Sequence, residues 1–456
     1  MKMILPLFLL LALTSAPLAR AQQAKAAVVA FENVNVVPMD RERVLEKQTV
    51  IVRDGRIAEI GPAGKTKTPE GAVRVDGRGK YLMPGLAEMH GHLPPPQAGE
   101  KEIAATLALF VANGVTTVRG MFGFPNHPEV RDKVSRGDIL GPRLYVAGPA
   151  LSGNSVPSVE VAQKMVRDQK AAGFDLLKVH EGLSLEAYDA VVAAAKDAGI
   201  AYGGHIPDKV GLQHALKTKM ATIEHLDNYI EALEADNSPI KGADPQTRAA
   251  KLPFHLDEKK IPALATATRD AGVWNVPTMA LYLNVFSSES GEALAQREEM
   301  KYAVPQMLKN WVGQRNNQLK SFDPEAIKRL VDIRKKILKG LHAAGAKIML
   351  GSDSPQFFNI PGFALQREMQ AMVDAGLTPY QVLETGTRNP AIYLKTINET
   401  GTVEVGKRAD LILVDANPLE SVGNVARRSG VMVNGKWLPA SELNKMLDEI
   451  AAMRKG

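Results

Sequence analysis

No cysteine occurs in the 456 residues. That excludes disulfides, a thiolate nucleophile and any thiolate metal ligand, so a large apolar core must hold the chain together. Any metal would fall to histidines, carboxylates or something less usual. Neither G-x-G-x-x-G nor G-x-x-x-x-G-K-[ST] is present, which removes the usual Gly-rich phosphate cradles. Aromatic residues make up only 5%. There is no internal repeat and no low-complexity tract. Beyond the N-terminal segment, no run is long and apolar enough to span a bilayer.

That segment, MKMILPLFLLLALTSAPLARA at residues 1–21, carries Lys2, an apolar stretch and the small-x-small Ala19-Arg20-Ala21. This is the pattern of a secretory signal peptide cleaved before Gln22. Pro6 and Pro17 interrupt the stretch, which argues against a membrane anchor. An exported protein is expected, in a bacterial periplasm. Losing Lys2 and Arg20 lowers the formal charge from +6 to +4. So small a balance points to neither nucleic acid nor a membrane surface as partner. A small-molecule substrate is expected, and a homo-oligomer stays open.

Residues 22–84 and 403–456 are β-rich, the second ending in a helix. Asp54-Gly55 and Asn434-Gly435 are hairpin turn signals between alternating runs. The two segments are expected to pair into one discontinuous β-sandwich built from both chain ends. Between them, 85–402 alternates short apolar strands with amphipathic helices. Candidate strands are 86–92, 116–121, 143–148, 175–180, 201–206, 222–227, 273–278 and 346–352. Ser184 and Thr378-Pro379 mark helix starts, and Gly199 marks a stop. The pattern suggests an α/β fold with a parallel (β/α)8 TIM barrel; a doubly wound open sheet is the alternative. The stretches 228–272 and 283–343 exceed normal connections and are read as insertions over the barrel mouth.

Polar residues fall at one end of these strands, where barrel chemistry sits. Strand 1 ends in His90 and His92, and strand 4 carries Lys178 and His180. Strands 5, 6 and 8 carry His205, His225 and Asp353. Each has a bland alternative: a strand lysine with its head in solvent, core histidines, a turn-capping aspartate. Jointly, those alternatives require five coincidences at one end of one barrel. Lys178 is a costly cation in an apolar strand. A neutral lysine amine can instead add CO₂ to form an anionic carbamate able to bridge two metals. His90, His92 and Asp353 would then hold one ion, and His205 and His225 the other.

His-x-His on strand 1, Lys on strand 4, single His on strands 5 and 6 and Asp on strand 8 together resemble the amidohydrolase superfamily. YLMPGLAEMHGH and GTVEVGKRADLILVDANP resemble its flanking sheet segments. NGVTTVRG, GPRLYVAGP, GHIP and IEHLD resemble its imidazolonepropionase-like and prolidase-like branch. The resemblance covers nearly all the chain after residue 21. It implies a metal-dependent hydrolase of C–N bonds in an amide, dipeptide or cyclic amide. Two divalent ions, zinc first among several suitable ones, would bridge a hydroxide, with Asp353 as general base. His180, His127 and Arg119 are candidates for substrate contact. A one-metal deaminase is the runner-up, because His205-Ile-Pro-Asp208 places an acid three residues after the histidine. The same site would also serve ester, lactone or phosphotriester hydrolysis. A metal carrier without turnover has no use for the strand-8 acid.

Overall fold

A computed structural model describes residues 28–321 and 323–455, so the expected signal peptide lies outside the described residues. The first five strands are β1 (Val29–Val36), β2 (Leu45–Arg53), β3 (Arg56–Pro62), β4 (Val73–Asp76) and β5 (Tyr81–Pro84). The last three are β14 (Leu411–Val414), β15 (Arg428–Val433) and β16 (Lys436–Pro439). They form a single sheet in the order β16-β15-β14-β5-β1-β2-β3, with β4 beside β1. Both chain ends therefore share hydrogen bonds, as β14 pairs antiparallel with β5. The expected sandwich is one continuous sheet. It curls back, so that Arg56 bridges Arg408, and encloses Phe31, Val52, Leu82 and Leu411. The two hairpin signals act as read: φ is 51° and 69° at Asp54-Gly55, and 49° and 78° at Asn434-Gly435.

Eight parallel strands follow β5: β6 (Leu86–Gly91), β7 (Val115–Gly120), β8 (Arg143–Val146), β9 (Leu176–Val179), β10 (Ala201–Gly204), β11 (Thr222–Glu224), β12 (Trp274–Val276) and β13 (Lys347–Ile348). Each starts within a residue of its expected position. They lie in two sheets, β6-β7-β8 and β13-β12-β11-β10-β9. Backbone contacts cross both seams. Ala147 bridges Leu176 between β8 and β9, and Gly91 bridges Ser354 beyond β13. Asp353 N–H donates to the His90 carbonyl at 2.8 Å. The arrangement fits a TIM-barrel-like core, with the main apolar cluster between strands and helices.

The helix signals are local and physical. The Ser184 side chain accepts from Ala187 N–H, and the helix Leu185–Ala198 ends at Gly199, whose φ of 60° suits glycine. Thr378 and Gln381 form a capping box over Pro379–Gly386. That helix breaks at Thr387, and a second one follows at Arg388–Tyr393. Within the long connection after β12, the helix Pro305–Leu319 walls a cavity beside His92. No described helix is long and apolar enough to cross a membrane.

Candidate metal centre

The strand ends converge. Atoms of His90, His225 and Asp353 lie within 4.8 Å of one another. His92 Nε2 approaches Asp353 Oδ1 to 3.0 Å. His205 stacks on His225 with ring centroids 4.6 Å apart, and His180 lies 4.5 Å from His205. Lys178 is 1% exposed beside them. Burial lowers the pKa of its ammonium. All six expected metal ligands are therefore brought together, with His180 at their edge.

Two of these residues leave strand geometry to do this. His225 has φ 62° and Asp353 has φ 58°, in the left-handed region that non-glycine residues rarely occupy. The turn at His225 is why β11 ends at Glu224, short of the expected 227; β13 ends at Ile348, short of the expected 352. Arg334, on the helix Pro324–Ala343, donates to the His225 carbonyl and stacks over Tyr282 with its guanidinium carbon 3.5 Å from the ring centroid. It holds the turn from the far side.

The imidazoles are neutral and aimed. Burial, reinforced by the Lys178 charge, lowers His92 and His205 to about 3. Burial first, then neighbouring cations, holds His90 and His225 well below the ordinary value. His90 Nδ1 donates to Glu224 Oε2 at 2.8 Å and His205 Nδ1 to Asp227 Oδ2 at 2.7 Å. His225 Nδ1 pairs with the Thr278 hydroxyl at 2.8 Å. For His90 and His205 the carboxylate partner fixes the proton on Nδ1 and Nε2 keeps its lone pair for a cation, the usual arrangement around a metal-binding histidine; the Thr278 hydroxyl can accept in the same way from His225. Asp353 is pushed up to about 6 by burial, against the pull of Lys178 and His205. Its Oδ1 is buried and accepts no hydrogen bond, although His92 Nε2 is close. A buried lone pair facing other lone pairs is costly by itself and is satisfied by a cation. The donor set of neutral imidazoles and carboxylate oxygen suits a divalent ion.

Two expected substrate contacts are corrected by their surroundings. Arg119 is fully buried: Nη2 donates to Glu224 Oε1 at 2.8 Å, Nε to the Met89 carbonyl at 2.6 Å, and Nη1 to Thr222 and Tyr393. It supports the carboxylate that orients His90 and has no face left for a ligand. His127 is buried too, with one ring nitrogen 3.2 Å from the Pro94 carbonyl and the other accepting from Phe124 N–H. It ties two loops together. His180 is half-buried and lines an open polar cavity of about 880 Å³. Glu181 N–H donates to its Nδ1 at 2.9 Å, so the proton sits on Nε2.

The supporting residues Glu88, Glu224, Asp227, Thr278 and Arg334 escape the sequence reading. Glu88 joins β6 to the segment after β13, accepting from Ser352 N–H at 2.8 Å and from the Ser352 hydroxyl. Burial pushes it up to about 8. The available signal was a carboxylate inside the apolar strands LAEMHG and TIE, one or two residues before a histidine.

A family profile described as the amidohydrolase family matches residues 81–438. An ochratoxinase from Aspergillus niger is 22% identical over 476 residues, covering 89% of this chain and 85% of its own. A dihydroorotase from Anaeromyxobacter sp. (strain K) is 36% identical over 104 residues, so the match spans 23% of this chain and 23% of that enzyme's length. A solved structure from Bifidobacterium longum, assigned as a prolidase, superposes with a TM-score of 0.69 at 23% identity, covering 93% of this chain and 99% of that one.

Proposed function

The chain belongs to the amidohydrolase family, whose members are metal-dependent hydrolases acting on carbon–nitrogen bonds, and from that premise we propose an exported binuclear hydrolase of an amide, dipeptide or cyclic amide in a small molecule. The observation that carries this reading is the convergence of His90, His225 and Asp353, with His92, His205 and Lys178 around them. We read the two parallel sheets as one closed (β/α)8 barrel presenting this site at its C-terminal face. His90, His92 and Asp353 would hold one divalent ion, zinc foremost, and His205 and His225 a second. The Lys178 amine, once it has lost its ammonium proton, would add CO₂, its nitrogen bonding to the carbon and releasing a second proton, to give an anion between the two sets. Bound ions of this kind lower the pKa of a water toward neutrality and polarise a carbonyl.

The chain's own groups do the rest. The Asp353 carboxylate takes a proton from the attacking water and returns it to the leaving nitrogen. Glu224, Asp227 and Thr278 fix three imidazoles so that each keeps its orientation through turnover. His180 donates from Nε2 to a substrate oxygen.

Turnover of an N-acyl amino acid and dipeptide panel, with metal content measured on the same preparation, tests the reading. Two ions per chain with amide cleavage are expected. One ion per chain with ammonia released from an amino-heterocycle would make it a deaminase instead. N-terminal sequencing of exported material is expected to begin at Gln22, and material beginning at Met1 would refute export by cleavage.

A further inference from the structure

Two cavities of opposite character meet at the Phe122 ring. Its centroid lies 5.9 Å from that of His92 and 6.5 Å from that of His180. On the His180 side is the open cavity carrying Ser152, Asn154, Glu181, Asp208 and Lys209. On the His92 side is a cavity of about 490 Å³, within the usual size of small-molecule sites. Phe124, Leu109, Met307, Trp311 and Ile360 wall the second one.

The charges in that second cavity cancel. Only Glu102 and Arg454 among its lining residues are ionic at neutral pH. They face each other in a bidentate pair, with Arg454 Nη2 donating to Glu102 Oε1 at 2.7 Å and Nη1 to Oε2. Arg454 Nε donates to the Tyr302 carbonyl at 3.0 Å. The guanidinium is therefore fully used in holding the last helix, Ala440–Lys455, against the cavity wall. No charge is left to attract an ionic ligand, and the remaining surface is apolar. The cavity is also continuous with the metal centre through His92, which lines it.

We propose that the His92-side cavity is a specificity subsite that takes a neutral, bulky apolar group attached next to the scissile carbon–nitrogen bond. This rests on the hydrolase reading and names its substrate class. The substrate is an amide with an apolar end beside His92 and a polar end beside His180. The segment Tyr302–Trp311 and the C-terminal helix, both outside the strand ring, set the preference.

The test has a kinetic and a binding arm. The kinetic arm compares kcat/KM for N-(2-naphthoyl)glycine and for N-acetyl-3-(2-naphthyl)alanine with that for N-acetylglycine. A gain on the order of 100-fold is expected for one of the naphthyl substrates, and which one gains says which side of the bond the cavity receives. Met307 is half-buried on the cavity wall and lies outside the metal centre. Met307→Asp, which puts a charge in the cavity, is expected to abolish the gain and leave N-acetylglycine turnover unchanged. Met307→Trp, which fills the cavity, checks the same result without a charge. The binding arm measures by calorimetry the affinity of 2-naphthoate against acetate and of 3-(2-naphthyl)alanine against alanine. Tighter naphthyl binding in one pair, lost in Met307→Asp, is expected. Amide hydrolysis with no naphthyl preference in either arm would overturn this proposal and leave the hydrolase reading standing. Naphthyl binding lost in the variant, without hydrolysis of any amide, would support the cavity and count against the hydrolase reading.

Discussion

The sheet built from the two chain ends and the rim of the parallel strands are both well packed, but they bury different chemistry. In the segments 28–84 and 403–455, Lys407 is the single buried ionisable residue among those described, and Glu404 lies 3.2 Å from it. At the ends of the parallel strands Glu88, His90, Arg119, Lys178, Glu224, His225 and Asp353 are all buried. Burying such groups costs several kcal/mol each unless they are paired. The sheet meets that cost rarely, at Lys407 and at the partly exposed Asp410 and Arg428, whose pKa values burial also shifts. A rim that accepts it repeatedly, and leaves Asp353 Oδ1 unpaired, is arranged for a ligand. Within the rim the same distinction separates support from site. Arg119 has every nitrogen engaged by protein, whereas the Nε2 atoms of His90, His205 and His225 remain available.

The contrast can be broken most strongly at Asp353. Asp353→Asn keeps shape and removes the proton acceptor, so kcat is expected to fall by roughly 10²–10⁴-fold with the thermal midpoint little changed. Turnover within a few-fold of wild type would make Asp353 a structural residue. Arg119→Met comes next, because it strands Glu224 without its guanidinium. Urea unfolding should show a loss of about 3–5 kcal/mol. Metal affinity should weaken at the same time, since His90 loses a fixed acceptor.

The opposite region gives the control. Phe31 packs edge-on against Trp437 at 5.0 Å, and Phe31→Ala should cost about 3–5 kcal/mol in the same unfolding assay. Metal per folded chain should not change. Metal loss in step with the lost stability would mean that the two regions are not independent. The smallest effect is expected at Asp227→Asn, which weakens the hydrogen bond behind His205. Metal titration should show affinity roughly 10–100-fold lower, with unfolding unaffected.

Much of this was legible in residue order. The starts of all eight parallel strands, both hairpin turns and the clustering of the six candidate residues follow from local pattern, because the ends of parallel strands gather on one side. The misread residues share a cause. Arg119 lies on a strand end like the ligands do, but its partner Glu224 comes from a strand 105 residues away. His127 shows no mark in sequence of the Pro94 carbonyl that engages it. The pairing of the two chain ends was legible too, whereas their union in one continuous sheet through β5 and β14 depends on register across the whole chain. The strand expected at 222–227 ran too far because propensity carries no sign of the left-handed turn at His225.

Lys178 divides the account most sharply, and one measurement reaches it: metal ions per chain, by elemental analysis, in wild type and in Lys178→Arg prepared under bicarbonate. Arginine keeps the positive charge and forms no carbamate. Wild type is predicted to hold two divalent ions per chain, and the variant to lose at least one together with nearly all amide hydrolysis. A Lys178→Arg protein that kept two ions and wild-type turnover would contradict the binuclear site directly.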